Sequence, residues 1–164
     1  MSGIINQIGA KSGIIGKALL TPNSTPYFIA YGNGGDVSVA HNANIAFNQV
    51  DQIASNNGWD TSNYWFTPPT DAEGLWAIGC NLFLRTASAQ QRWVIHDAAT
   101  DADGYYGDAH RSTAPQNDTA FLSSVHSLHS GSQIRVRNSA DGSATRGVYI
   151  SGKNHSIMWG VFLG

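Results

Sequence analysis

Residues 75–85 read LWAIGCNLFLR. Successive side chains of a β-strand point to opposite faces, and the even set here, Trp76, Ile78, Cys80, Leu82 and Leu84, is apolar without exception. That set is expected to face a core. The odd set, Leu75, Ala77, Gly79, Asn81, Phe83 and Arg85, is mixed but too apolar for open solvent. The strand is therefore expected to be covered on both sides, by a sandwich core on one and by a neighbouring subunit on the other.

The same pattern extends outward from this strand. No window of ten or more residues holds a 3.6-residue period with helix formers, whereas short β-type runs follow one another at 27–31, 37–41, 44–50, 63–67, 75–85, 91–96, 119–128, 133–138, 147–151 and 156–164. Asn33-Gly34, Asn57-Gly58, Asp103-Gly104 and Asp141-Gly142 punctuate them and can supply the positive-φ residues of tight reversals. Short strands broken at regular intervals by turn signals predict a nearly all-β chain, a sandwich or jelly roll.

Composition agrees and narrows the function classes. Charged residues make up 12% of the 164, about half the roughly 25% of ordinary globular domains. The 18 glycines and five tryptophans suit a turn-rich β protein with a real core rather than a disordered chain. A formal charge of −2, with nine Lys and Arg scattered along the chain, provides no basic stripe for nucleic acid. Cys80 is the single cysteine, so no intrachain disulfide can form, and its place in an apolar run predicts a buried, inert thiol. Asn6, Gln7, Gly9 and Lys11 interrupt the N-terminal isoleucines, so neither a signal-peptide core nor a membrane span is expected. The sequons at Asn23, Asn117 and Asn154 carry weight only in a secreted protein.

The first twenty residues differ from the rest. Ser2-Gly3-Ile4-Ile5 returns as Ser12-Gly13-Ile14-Ile15, and the polar, proline-bracketed Thr21-Pro22-Asn23-Ser24-Thr25-Pro26 follows. This reads as an N-terminal attachment arm over 1–20, a linker over 21–26 and a head domain over 27–164. Isolated, glycine-flanked isoleucines make poor core but good plugs for clefts in a partner. Ile4, Ile5, Ile8, Ile14 and Ile15 are the expected anchors.

Particular residues of the head resemble a known family. Ile45-Ala46-Phe47-Asn48-Gln49-Val50, Gly58-Trp59-Asp60, Tyr64-Trp65-Phe66-Thr67-Pro68-Pro69 and Gly74-Leu75-Trp76 are similar to the globular head of complement-type proteins, related to tumour necrosis factor. LHSGSQIRVR at 128–137 and Met158-Trp159-Gly160-Val161-Phe162-Leu163 resemble the family's later strands. Ser132 stands where the family commonly has Asp, Pro68 where it has Ala, and Trp76 and Ile78 where it has Tyr and Phe. The resemblance implies a ten-strand jelly roll that packs as a homotrimer, with Leu75, Ala77 and Phe83 on the interface strand. Residues 1–16 resemble the N-termini of virion proteins of tailed phages, including those of aquatic bacteria. That second likeness implies a virion protein whose arm binds the major capsid protein or another virion protein. The short linker leaves little chain for a shaft, which favours a trimeric capsid decoration, or cement, protein. The alternative is a tail or head fibre module that recognises a host surface glycan or protein.

Chemical motifs are sparse. Gly147 to Asn154, GVYISGKN, approaches a phosphate-binding loop but ends in Asn and sits between two β-type runs, so a Gly-Lys-Asn hairpin turn is expected. His96, Asp97, Asp101, Asp103, Asp108 and His110 form the densest set of metal-ligand types, yet an EF-hand register centred on Gly104 places Ala99 first and His110 twelfth. A solvated acidic loop is expected. A looser calcium site built on Asp97, Asp101 and Asp103 stays open, since some members of the resembled family bind calcium. His126 and His129 are three apart, which on a strand sends them to opposite faces and disfavours chelation. Gln90, Gln91, Tyr105 and Tyr106 fall at strand ends or in loops, where exposed aromatics can stack on sugars. With no Gly-x-Ser-x-Gly elbow and Cys80 far from any base, neither an enzyme nor a cofactor is expected.

Overall fold

The computed structural model describes residues 25–53, 58–85, 91–100, 105–111, 117–139 and 145–164. The expected arm anchors Ile4, Ile5, Ile8, Ile14 and Ile15, and most of the expected linker, lie outside them.

Twelve strands are present among the described residues: β1 Tyr27–Tyr31, β2 Asp36–Val39, β3 Gln49–Ile53, β4 Trp59–Asp60, β5 Trp65–Phe66, β6 Gly74–Leu84, β7 Gln91–Asp97, β8 Tyr105–Arg111, β9 Asp118–Leu128, β10 Ile134–Asn138, β11 Arg146–Tyr149 and β12 Ile157–Phe162. They form two sheets. In the seven-stranded sheet β6 is central, with β9 along one side and β12 and β11 along the other; β12 continues through β1 to β3, and β11 pairs with β2. The five-stranded sheet runs β4-β5-β10-β7-β8.

All ten runs read from sequence meet strands, and two further strands, β4 and β8, join them among the described residues. β4 is only Trp59 and Asp60, folded back against β5. β8 reads YYGDAHR, which carries no apolar alternation, and pairs only with β7. The run at 44–50 is inward-facing, with Ile45 and Phe47 buried, but it divides between the sheets. Ile45 donates its N–H to the Val136 carbonyl of β10, while from Gln49 onward the chain pairs with β1. This stretch is the crossing between the two sheets rather than one uniform strand. The Gly-Lys-Asn segment is a second departure. β11 and β12 both run antiparallel to β6 and do not pair with each other, so residues 150–156 are an excursion between two consecutive partners of β6, not a hairpin turn.

The core lies between the sheets. Trp76, Ile78, Cys80, Leu82 and Leu84 are buried, as the alternation requires. They meet Trp93, Ile95, Ile134 and Val136 of the facing sheet in one apolar cluster. Phe28 stacks on Phe66 at 4.2 Å between ring centroids, Phe66 meets Trp76 edge-on at 4.8 Å, and Trp59 lies 5.6 Å from Phe28. Each such side chain fully buried contributes about 1.5–3 kcal/mol, and the three buried indoles keep polar partners: Trp59 donates to the Phe47 carbonyl, Trp76 to that of Ala72 and Trp93 to the side-chain carbonyl of Gln91.

Candidate functional site

The odd residues of β6 point away from this core. Strand register sets their neighbours: Ala77 lies opposite Val125 of β9 and Val161 of β12, Gly79 opposite Ser123 and Trp159, and Asn81 opposite Phe121 and Ile157. On β1, Tyr27, Ile29 and Tyr31 continue the same rows. The exposed large hydrophobics among the described residues are Leu75 (43%), Phe121 (60%), Val125 (53%), Val161 (37%) and Leu163 (45%), and all five lie on this outer face. Leu163 joins Leu75 through its N–H to the Leu75 carbonyl.

Local chemistry shapes the middle and the rim. Trp159 lies across Gly79 so closely that a Cβ there would sit 2.3 Å from the indole, so the glycine is what lets the ring lie flat. Polar residues interrupt the face: Ser123 and Ser127 are exposed on β9, and the side-chain carbonyl oxygen of Asn81 is dry and without a donor. At one rim Phe83, Tyr149 and His155 meet edge-on, with Tyr149 and His155 4.5 Å apart, and the Arg85 guanidinium sits 5.5 Å from the Tyr149 ring. Arg85 also pairs with Asp36 at 2.7 Å. On the β3 side Lys153 pairs with Asp51, whose carboxylate raises the ammonium pKa, and lies over the Tyr31 ring. An apolar centre with charged pairs at its margin is the anatomy of a protein contact surface.

A second feature lies on the other sheet. Trp59 pairs with Phe66 and Asp60 with Trp65; the first pair faces the core, so the second faces outward. Asp60 and Trp65 border an open cleft of about 420 Å³, closed by Gly58, Thr67, Pro68, Pro69, Thr70 and Ser130. The loop between the two strands is tightly held. Asn63 donates its side-chain amide and its N–H to Asp60, Ser62 adds its own N–H, and these bonds hold the carboxyl below its ordinary range. Tyr64 closes the loop at φ 60, a left-handed conformation unusual for a bulky residue. The opposite wall is fixed by Glu73, which accepts the Ser130 N–H. Sequence reading missed this cleft: Trp59, Asp60 and Trp65 stood out as motif residues, but only the hairpin register puts Asp60 beside Trp65.

Of the proposed interface residues, Leu75 is exposed and Ala77 and Phe83 are half-buried, all on the outer face. Asp97 is buried and accepts N–H groups from Ala99 and Gln133, a structural part in the turn after β7 and a departure from a solvated loop. Asp101, Asp103 and Gln90 lie outside the described residues, as do the side chains of Tyr105, Tyr106, Asp108 and His110. Among the described residues no three His, Cys, Asp or Glu side chains gather as a metal site. His126 is on β9 and His129 just beyond it, where its Nδ1 accepts the Gly131 N–H. Cys80 is fully buried, which pushes its thiol pKa well above the ordinary value.

No protein-family model and no curated protein matches the chain. Solved structures do. The structure of Eiger TNF from S. frugiperda superposes with a TM-score of 0.61 at 18% identity, over 85% of this chain and 92% of that one. Murine APRIL at pH 5.0 superposes with a TM-score of 0.57 at 12% identity, over 85% and 99%. At such identities the likeness is one of architecture, and the head of this chain has the jelly-roll fold of the tumour necrosis factor proteins.

Proposed function

We propose that this chain is a non-enzymatic structural protein of a phage virion, a homotrimeric capsid decoration protein held to the major capsid protein or another virion protein by its N-terminal arm. The observation that carries self-association is the gathering of Leu75, Phe121, Val125, Val161 and Leu163 on one outer face. Exposed apolar residues on a monomer are usually scattered singly, whereas here five large ones share one face. A heterologous contact that repeats around a threefold axis covers one such face per copy and closes without leaving a free one. The doubled SGII segment supports attachment, because three arms on one trimer add avidity through effective concentration.

Light scattering coupled to size-exclusion chromatography tests the first half. The full chain elutes as a trimer, and Phe121→Asp with Val125→Asp elutes as a folded monomer; a wild-type chain that stays monomeric at high concentration overturns the reading. Binding to capsids stripped of this protein tests the second. Serine at Ile4, Ile5, Ile14 and Ile15 leaves the trimer intact and abolishes capsid binding, whereas unchanged binding removes the arm from the account. A second reading, a fibre module that recognises a host surface glycan or protein, is favoured by the Asp60–Trp65 cleft. Binding to host cells but not to capsids selects it.

A further inference from the structure

We infer that the cleft between the β4–β5 hairpin and the Thr67–Thr70 segment binds a neutral saccharide, with Trp65 as the stacking platform and Asp60 as the hydrogen-bond acceptor. The inference rests on the second reading above and assigns it a site. A sugar ring offers two surfaces, a face of C–H groups and an edge of hydroxyls. The cleft presents a match for each within one register pair, since Trp65 and Asp60 stand directly opposite on adjacent strands, where paired Cβ atoms lie about 4.5–5.5 Å apart. Thr67, Thr70 and Ser130 add hydroxyls around them.

Preorganisation is the second support. Three N–H groups from Ser62 and Asn63 orient the Asp60 carboxylate. Two oxygens carry about four acceptor sites, so acceptor capacity is left for a ligand hydroxyl. Gly58 accepts the Thr67 N–H at 2.6 Å, and a Cβ at Gly58 would lie 2.3 Å from the Thr67 carbonyl, so the two walls are locked at close approach. The 3-10 turn Thr70–Ala72 is tied to the core by the Trp76 indole. Little loop ordering is needed on binding, which removes a common entropic cost.

Charge and shape select the ligand class. No Lys or Arg is among the residues lining the cleft, and Asp60 is ionised, so phosphate, sulfate and acidic sugars are repelled. Its open, mixed lining suits neither a lipid tail nor a compact apolar molecule. The cleft is on the five-stranded sheet, away from the apolar outer face, so three copies of a trimer would present three sites and gain avidity.

Affinity electrophoresis of the full chain in gels cast with dextran, mannan, galactan or dextran sulfate tests this. The expected result is retardation by at least one neutral polysaccharide and none by dextran sulfate, loss of retardation in Trp65→Ala, and about tenfold weaker binding in Asp60→Asn. Asn at position 60 keeps a carbonyl acceptor for the loop, so it stays informative where loss of Trp65 unfolds the hairpin. Equal retardation of both variants and wild type overturns the site while leaving glycan recognition standing. Host-cell binding without retardation in any neutral gel overturns the saccharide and keeps the receptor reading, and binding to neither removes both.

Discussion

Gly79 and Trp159 show how one missing side chain shapes a surface. Alanine at Gly79 forces a Cβ to 2.3 Å from the indole, so the ring must lift off the sheet. Gly79→Ala is expected to destabilise the head by about 1–3 kcal/mol, the usual range for overpacking, as read by urea unfolding, and to disturb the outer face as well. Asp60 makes a prediction of a different kind. Its folded pKa lies below the ordinary 3.8, so its contribution to stability is present above that value and is lost as pH falls through the folded pKa. The drop in urea midpoint between pH 5 and pH 2.5 should be smaller in Asp60→Asn than in wild type; equal drops would show that the loop bonds do not depend on charge. The outward assignment of Gly79 was legible in the alternation of 75–85. The contacts of Gly79 were not, since Trp159 reaches it from a strand far along the chain.

Among the elements, β6 is the hub, because its two sides bond β9, β12 and β11 and its even face is wholly buried. Leu82 is fully buried on that face. Leu82→Ala is expected to cost about 2–5 kcal/mol, the range for large-to-small core substitutions, and the amides of β6 to be among the slowest to exchange with deuterium. By contrast β8 has one partner strand and no apolar rhythm, and its exchange should be fast. The same asymmetry explains what sequence reading found. Alternation marks a strand that buries one face, so β6 stands out, while β8 lacks that rhythm and pairs with β7, and the two-residue β4 is too short to alternate although its Trp59 is buried.

At the scale of the whole molecule, the proposed association through the outer face would make assembly and folding one equilibrium. If three heads cover one another's faces, the melting temperature must rise with protein concentration, and the Phe121→Asp, Val125→Asp pair must melt at a temperature independent of it. Calorimetry over a hundredfold concentration range separates the two; a flat wild-type response would mean the face stays uncovered. Charged pairs at the rim, Arg85–Asp36 and Lys153–Asp51, are exposed and should add little affinity, so salt should change the midpoint only slightly.

The sequence by itself determined that the chain is nearly all β, that Trp76, Ile78, Cys80, Leu82 and Leu84 form its core face, and that Leu75, Ala77 and Phe83 face outward. Period-two alternation is a local property, written residue by residue. Only the tertiary structure decided that Leu75 shares its face with Phe121, Val125, Val161 and Leu163, that Asp60 stands beside Trp65, and that residues 150–156 leave and rejoin the edge of β6. Those juxtapositions depend on register between strands distant in the chain. Register is set by the joint burial of every inward side chain at once, which no single stretch of sequence specifies.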